Sequence, residues 1–260
     1  MFNLLYVEWL KVKKYKAFWI ILGIFAVPFP IIFMEIMKKI DEKAGVVGVM
    51  FTAFPSIWQM SGFWSSINLV LLAMLVILMI TNENTYRTIR QNIIDGWSRE
   101  QFFTAKLLQV IMLSVLATIV ATIAGIITGV ALDDMHNASK GSYFIFYIFL
   151  QSLCYLSAAL FIGLYVKRAA LAIAIYFMYV VIGGEFLLQF VMNKYLGGYV
   201  GNFLPLQASD ELVPFPNMDK LSKEVTGKAP LDPSIYLIAT LVYIGLFIFL
   251  SYRKMKKADL

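Results

Sequence analysis

Side chains able to do chemistry are scarce in this 260-residue chain, and those present point away from catalysis. Cys154 is the only cysteine and His136 the only histidine. A disulfide within the chain is impossible, and no Cys/His cluster can hold a metal. Cys154 falls in an apolar block, where a thiol is a small packing group; His136 falls in a polar connection, where a solvated residue is the default. No G-x-x-x-x-G-K-[ST] run exists to cradle a phosphate, and no H-E-x-x-H exists to bind zinc. The apolar blocks carry neither a glycine-flanked serine nor paired aspartates, so no catalytic residue and no metal ligand is expected. Two places remain. Glu185 stands well inside an apolar block, beside Gly183 and Gly184, which weaken a helix. A carboxylate there faces a bundle interior, a cavity, a partner or the membrane interface. The other place is the polar stretch TNENTYRTIRQNIIDGWSREQFFTAK at 81–106.

The elements that hold these groups follow from composition. Hydrophobic residues make up 60% of the chain and charged ones 15%, against roughly 45–50% and about 25% in a soluble domain. One core of this size cannot hide that excess. The apolar residues also come in blocks of about 20, the length that crosses about 30 Å of hydrocarbon. An all-α polytopic membrane protein with six spans is expected, at about 17–37, 62–80, 107–132, 144–166, 169–192 and 234–251. No second domain is expected. Pro28 and Pro30 should loosen the outer half of the first span, and 38–61 reads as a re-entrant or interfacial connection.

Residues 2–16 are too polar to span. Phe2, Leu5, Tyr6, Trp9 and Val12 recur at helical spacing, with Glu8, Lys11 and Lys14 largely off that stripe, as in a helix lying in the membrane interface. The apolar stretch that follows is long, contains two prolines and lacks a small-residue cleavage site, so an uncleaved N-terminus is expected. With both ends inside, fourteen of the 22 Lys and Arg lie on the inner segments, against five acids. The positive-inside rule therefore places both termini in the cytoplasm. It also accounts for most of the net charge of +6 without invoking nucleic acid. Residues 193–233, rich in Pro and Gly, form the long outer segment.

Within 81–106, Tyr86, Ile89, Ile93, Ile94 and Trp97 recur at helical spacing, while Arg87, Arg90, Gln91 and Asp95 project elsewhere. This predicts an amphipathic helix joining the second and third spans, ended by Gly96. Ser98 followed at three residues by Gln101 predicts a capping box that opens the third span. In that span Ala117, Ala121, Gly125 and Gly129 recur every fourth residue, a small-residue ridge for close helix contact.

Glu83, Thr88, Arg90, Gly96, Ser98, Arg99 and Lys106 together resemble the cytoplasmic loop of type-2 ATP-binding-cassette exporter permeases. Such permeases often carry Pro near Gly96, where this chain has Asp95–Gly96–Trp97. The N-terminal helix, the six-span layout and the outer segment are similar too. The resemblance implies a coupling helix seated on a separate ATPase subunit, with Glu83, Arg87, Thr88, Arg90, Gln91, Asp95 and Arg99 as the coupling residues. It implies short re-entrant outer helices after span five, Glu185 near the translocation path, and a bacterial cytoplasmic membrane. Partners would be two ATPases, a second permease copy or homologue, and lipids. ATP and Mg would sit on the ATPase, with no cofactor in this chain. The expected function is outward movement of a lipid, peptide or drug-like substrate. The alternatives are a non-transport component that couples an ATPase to an outer partner, and an ATP-independent channel or carrier.

Overall fold

The computed structural model describes residues 2–44, 46–86, 88, 91, 96–133, 135, 137–196, 198–216 and 231–257. Among them all regular structure is helical. Helix α1 covers Phe2–Lys13, α2 Lys16–Ala26, α3 Pro28–Ala44 and α4 Val46–Thr52. Helix α5 covers Ser56–Thr85, α6 Arg99–Leu132 and α7 Tyr143–Tyr165. Then come α8 at Ala169–Val180, α9 at Gly184–Tyr195, a 3-10 turn at Val200–Phe203, α10 at Gln207–Asp210 and α11 at Pro233–Lys256. Among the described residues five helical runs are long and apolar enough to cross a membrane, α2 with α3 counting as one, and the bent pair α8–α9 makes a sixth when taken as one span. The chain is a multi-pass membrane protein.

The first span differs from expectation at the prolines. The break falls at Val27, before Pro28, and the helix then runs past Met37 to Ala44. Pro28 and Pro30 occupy the first turn of α3, whose N–H groups have no intrahelical acceptor anyway, so neither ring costs a hydrogen bond. The 38–61 connection is mostly helical. It comprises the end of α3, α4, and the first turns of α5, which begins at Ser56 rather than Gly62. Thr52 Oγ1 donates to Asp41 Oδ1 at 2.7 Å and closes α4 onto α3.

Span five is not a straight rod. It bends by 40° between α8 and α9, at Gly183 with φ +84°, a left-handed conformation that favours glycine. At 1.5 Å per residue, α8 alone reaches about 18 Å and cannot cross the hydrocarbon.

Helix α7 is the central pillar: 61% of its apolar window is buried, against 22% for α11. It packs on α5, α6 and α11. The ridge on α6 faces inward: Ala117 and Ala121 are buried, and a Cβ on Gly125 or Gly129 would meet the rings of Trp58 or Phe54 at 2.7 and 2.5 Å. Close approach here serves packing within one chain.

The bundle has two distinct ends. At the first lie α1, the end of α5, the start of α6 and the end of α11, joined by Arg99 Nη1 donating to Lys256 O at 2.6 Å and Tyr252 OH donating to Glu100 Oε1 at 2.8 Å. At the far end lie α4, the start of α7, the 3-10 turn and the start of α11. There, residues 199–213 dip back into the bundle as a re-entrant segment. Tyr243, ten residues into α11, donates to Phe203 O at 2.6 Å.

Candidate functional site

The α1 end is built around one buried ammonium. Lys106 lies in the second turn of α6, positioned by the capping box predicted at Ser98: Gln101 N donates to Ser98 Oγ at 3.1 Å, and Ser98 N donates to Gln101 Oε1 at 2.9 Å. Lys106 Nζ donates to Glu8 Oε2 of α1 at 2.6 Å and to Glu83 Oε1 of α5 at 2.5 Å. Lys11 Nζ donates to Glu8 Oε1 at 2.9 Å and to Glu83 Oε1 at 3.1 Å. Gln109 Nε2 donates to Glu8 Oε2 at 2.6 Å, and the Phe102 ring lies 5.2 Å from Lys106 Nζ. Two anions and two cations cancel, so each charge has its counter-charge, although Glu83 Oε2 is buried with no hydrogen-bond partner among the described residues.

The Glu8 carboxyl shows the balance directly. Burial alone would raise its pKa, yet Lys106 and Lys11 outweigh burial and hold it below the usual carboxylate value. For Lys11 burial pulls the other way, but Glu83 and Glu8 raise its pKa above the ordinary value. Beside this node opens a cavity of about 210 Å³, lined by Val12, Tyr15, Met79, Asn82, Tyr86 and Thr88 as well as the four charged residues.

The face of α1 that meets the protein only partly matches the apolar pattern. Of the stripe, Tyr6 and Trp9 are exposed and Val12 is buried, while Glu8, off the stripe, is buried as well. The two aromatic rings therefore face outward, and Glu8 on the polar side carries tertiary contacts. Glu8 and Gln109, absent from the sequence-based site, belong to this node. The only sequence signal was an acid at helical spacing within a lysine-rich helix.

Of the expected coupling residues, Glu83 closes α5 and joins the node. Thr88 Oγ1 donates to Glu83 O at 3.4 Å, Gln91 is helical and exposed, and Arg99 binds the last turn of α11. Arg87, Arg90 and Asp95 lie outside the described residues, as does His136 among the other residues singled out. Gly96 has φ +96°, a turn between the two span ends.

Glu185 sits apart, at the first turn of α9. It is 5% exposed, and its Oε1 accepts Leu206 N at 2.8 Å and Gln207 N at 2.7 Å. Its immediate contact is the backbone of the re-entrant segment. A second carboxylate, Asp210, is half-buried on the same segment against Gln151 and Tyr155 of α7. Sequence reading passed over Asp210 because it stands in a polar segment, where an acid carries no signal. Among the described residues no group of three or more potential metal-binding side chains occurs.

A family profile described as "ABC-2 family transporter protein" matches residues 4–183 of the chain, which takes in α1, the charged node and the spans through α8. The chain belongs to that family. No curated protein matches it.

Proposed function

From membership in the ABC-2 transporter family and the charged node, we propose that this chain is the permease subunit of an exporter, with the α1 end in the cytoplasm. In this reading a separate ATPase subunit binds ATP and Mg, docks on the segment between α5 and α6, and drives outward movement of an apolar or amphipathic substrate. A second permease copy or a homologue completes the cleft.

The observation that carries the reading is the four-charge node. Glu83 ends α5 and Lys106 begins α6, so they bracket the docking segment, and Glu8 ties α1 to both. A push on residues 86–98 therefore moves three helices as one body, the rigid-body transmission that an ATP-driven switch needs. The excess of Lys and Arg at this end favours the cytoplasmic side. Arg87, Arg90 and Asp95 supply the charges that pair with the ATPase, and Glu185 acts through the re-entrant segment it holds.

The test is co-purification. A tagged full-length chain extracted from native membranes should retain an ATP-hydrolysing subunit, and Arg87→Glu with Arg90→Glu should release it without changing the melting of the chain. ATPase retention equal to wild type would overturn the docking assignment. Substrate flux in Mg-ATP-loaded vesicles then separates transport from mechanical coupling to an outer partner, and export unchanged by Glu185→Gln would remove that residue from the path.

A further inference from the structure

The cavity of about 210 Å³ beside the charged node lies between α1, the end of α5 and the residues that follow it. A cavity of about 150 Å³ accommodates benzene, and sites for drug-sized molecules run to about 300–1,000 Å³, so the occupant is one small group or one end of a larger molecule. Its wall is of three kinds. Val12, Met79 and the rings of Tyr15 and Tyr86 are apolar. Asn82 and Thr88 are polar but engaged, Asn82 Nδ2 donating to the Tyr15 hydroxyl at 3.0 Å and Thr88 Oγ1 to Glu83 O at 3.4 Å. The remainder is the node itself, Glu8, Lys11, Glu83 and Lys106, whose charges sum to zero.

The node leaves hydrogen-bonding capacity of both kinds unused. Glu83 is 7% exposed, and both lysines donate to its Oε1, whereas its Oε2 is buried and accepts nothing among the described residues. A buried carboxylate oxygen without a donor is costly, and because Glu83 lines the cavity, a donor seated there is the nearest remedy. Lys11 spends two of its three N–H groups on Glu8 and Glu83, and its side chain is 30% exposed. One ligand answers both needs when it carries an N–H cation and an anion together. A ligand with a single charge would add an uncompensated charge to a neutral, largely buried cluster; a zwitterion adds none.

The surroundings show where such a ligand comes from. Tyr6, Trp9 and Leu10 of α1 and Trp19 and Ile20 of α2 are exposed, and the two indole rings meet edge to face at 5.9 Å. Exposed aromatic and aliphatic groups beside lysines belong at the lipid–water boundary. We propose that the cavity binds the headgroup of a phospholipid that carries a primary ammonium and a phosphate, the phosphoethanolamine type, its ammonium donating to Glu83 and its phosphate accepting from Lys11. A choline headgroup has the same charges but no N–H to give, and a glycerol headgroup has no cation. The site rests on the geometry of the node and stands whether or not the chain exports a substrate.

The experiment is native mass spectrometry of the full-length chain in detergent. Its probes are phosphatidylethanolamine, phosphatidylcholine and phosphatidylglycerol with identical acyl chains, and water-soluble O-phosphoethanolamine. Wild type should retain a single ethanolamine lipid and prefer it to the other two by at least about tenfold, the size of one charge-assisted hydrogen bond. Glu83→Gln, which keeps the shape and strips the charge, should bring the ethanolamine lipid down to the level of the choline lipid. Val12→Phe, which fills the cavity without touching a charge, should lose the lipid, and its retention there would overturn the site. Choline lipid held as well as ethanolamine lipid would overturn the proposal, since the tyrosine rings alone can hold a quaternary ammonium. Glycerol lipid held equally would show that only phosphate is read, and soluble O-phosphoethanolamine bound as tightly as the lipid would remove the membrane as its source; either result overturns the proposal. Should Glu83→Gln not fold, the wild-type ranking of the three lipids decides alone.

Discussion

At the α1 end the buried carboxylates Glu8 and Glu83 meet two ammonium groups; in the re-entrant region a buried Glu185 and a half-buried Asp210 meet, among the described residues, only amide and hydroxyl donors. Both arrangements fasten a peripheral element to the central helices, α1 in one case and residues 199–213 in the other. The difference lies in what satisfies the charge. Lys106 and Lys11 pair with Glu8 and Glu83, which ties α1, α5 and α6 together. Among the described residues Glu185 and Asp210 receive only amide and hydroxyl donors, which solvate a carboxylate without cancelling it.

The contrast can be broken most sharply at Lys106. Lys106→Met leaves Glu8 and Glu83 facing each other with Lys11 alone, and should cost about 3–5 kcal/mol, read as a large fall in the melting temperature of the full chain. Glu83→Gln keeps the shape but strips a charge from two lysines, for a loss of about 2 kcal/mol. Ser98→Ala removes the cap that positions Lys106 and should cost about 1 kcal/mol; a larger fall would mean that the node depends on the cap more than on its own ion pairs. Asp210→Asn, at a half-buried carboxylate that no cation among the described residues pairs, should cost less than about 1 kcal/mol. If it destabilises as much as Lys106→Met, the two regions are energetically alike and the contrast fails.

The pH response of the α1 end follows from the signs of its two shifts. The Glu8 carboxyl is held below its ordinary value, so its contribution is full above that ordinary value and disappears as pH falls through the lowered one. Lys11 is raised, so its contribution is lost only as pH rises through a value above the ordinary lysine range. Between those limits the α1 end should keep its protection in amide hydrogen exchange, and loss of protection there within that range would overturn the assignment.

Much of this protein is local and therefore readable in one dimension. Blocks of about 20 apolar residues determine the spans, because hydrocarbon thickness sets a length. Ser98 and Gln101 determine their capping box, because its partners are three residues apart. Gly183 marks the bend in span five, because only a residue without Cβ takes that conformation cheaply. Glu83 and Lys106 were visible as the ends of one charged loop and carried the family resemblance.

Tertiary structure decided the rest. Glu8 meets Lys106 across 98 residues and Asp210 meets Tyr155 across 55, distances over which periodicity carries no information. Which face of α1 is buried was also settled there. In a membrane the two aromatic rings already have a favourable solvent in lipid, so Glu8 on the polar side, which has none there, is the group that must find protein.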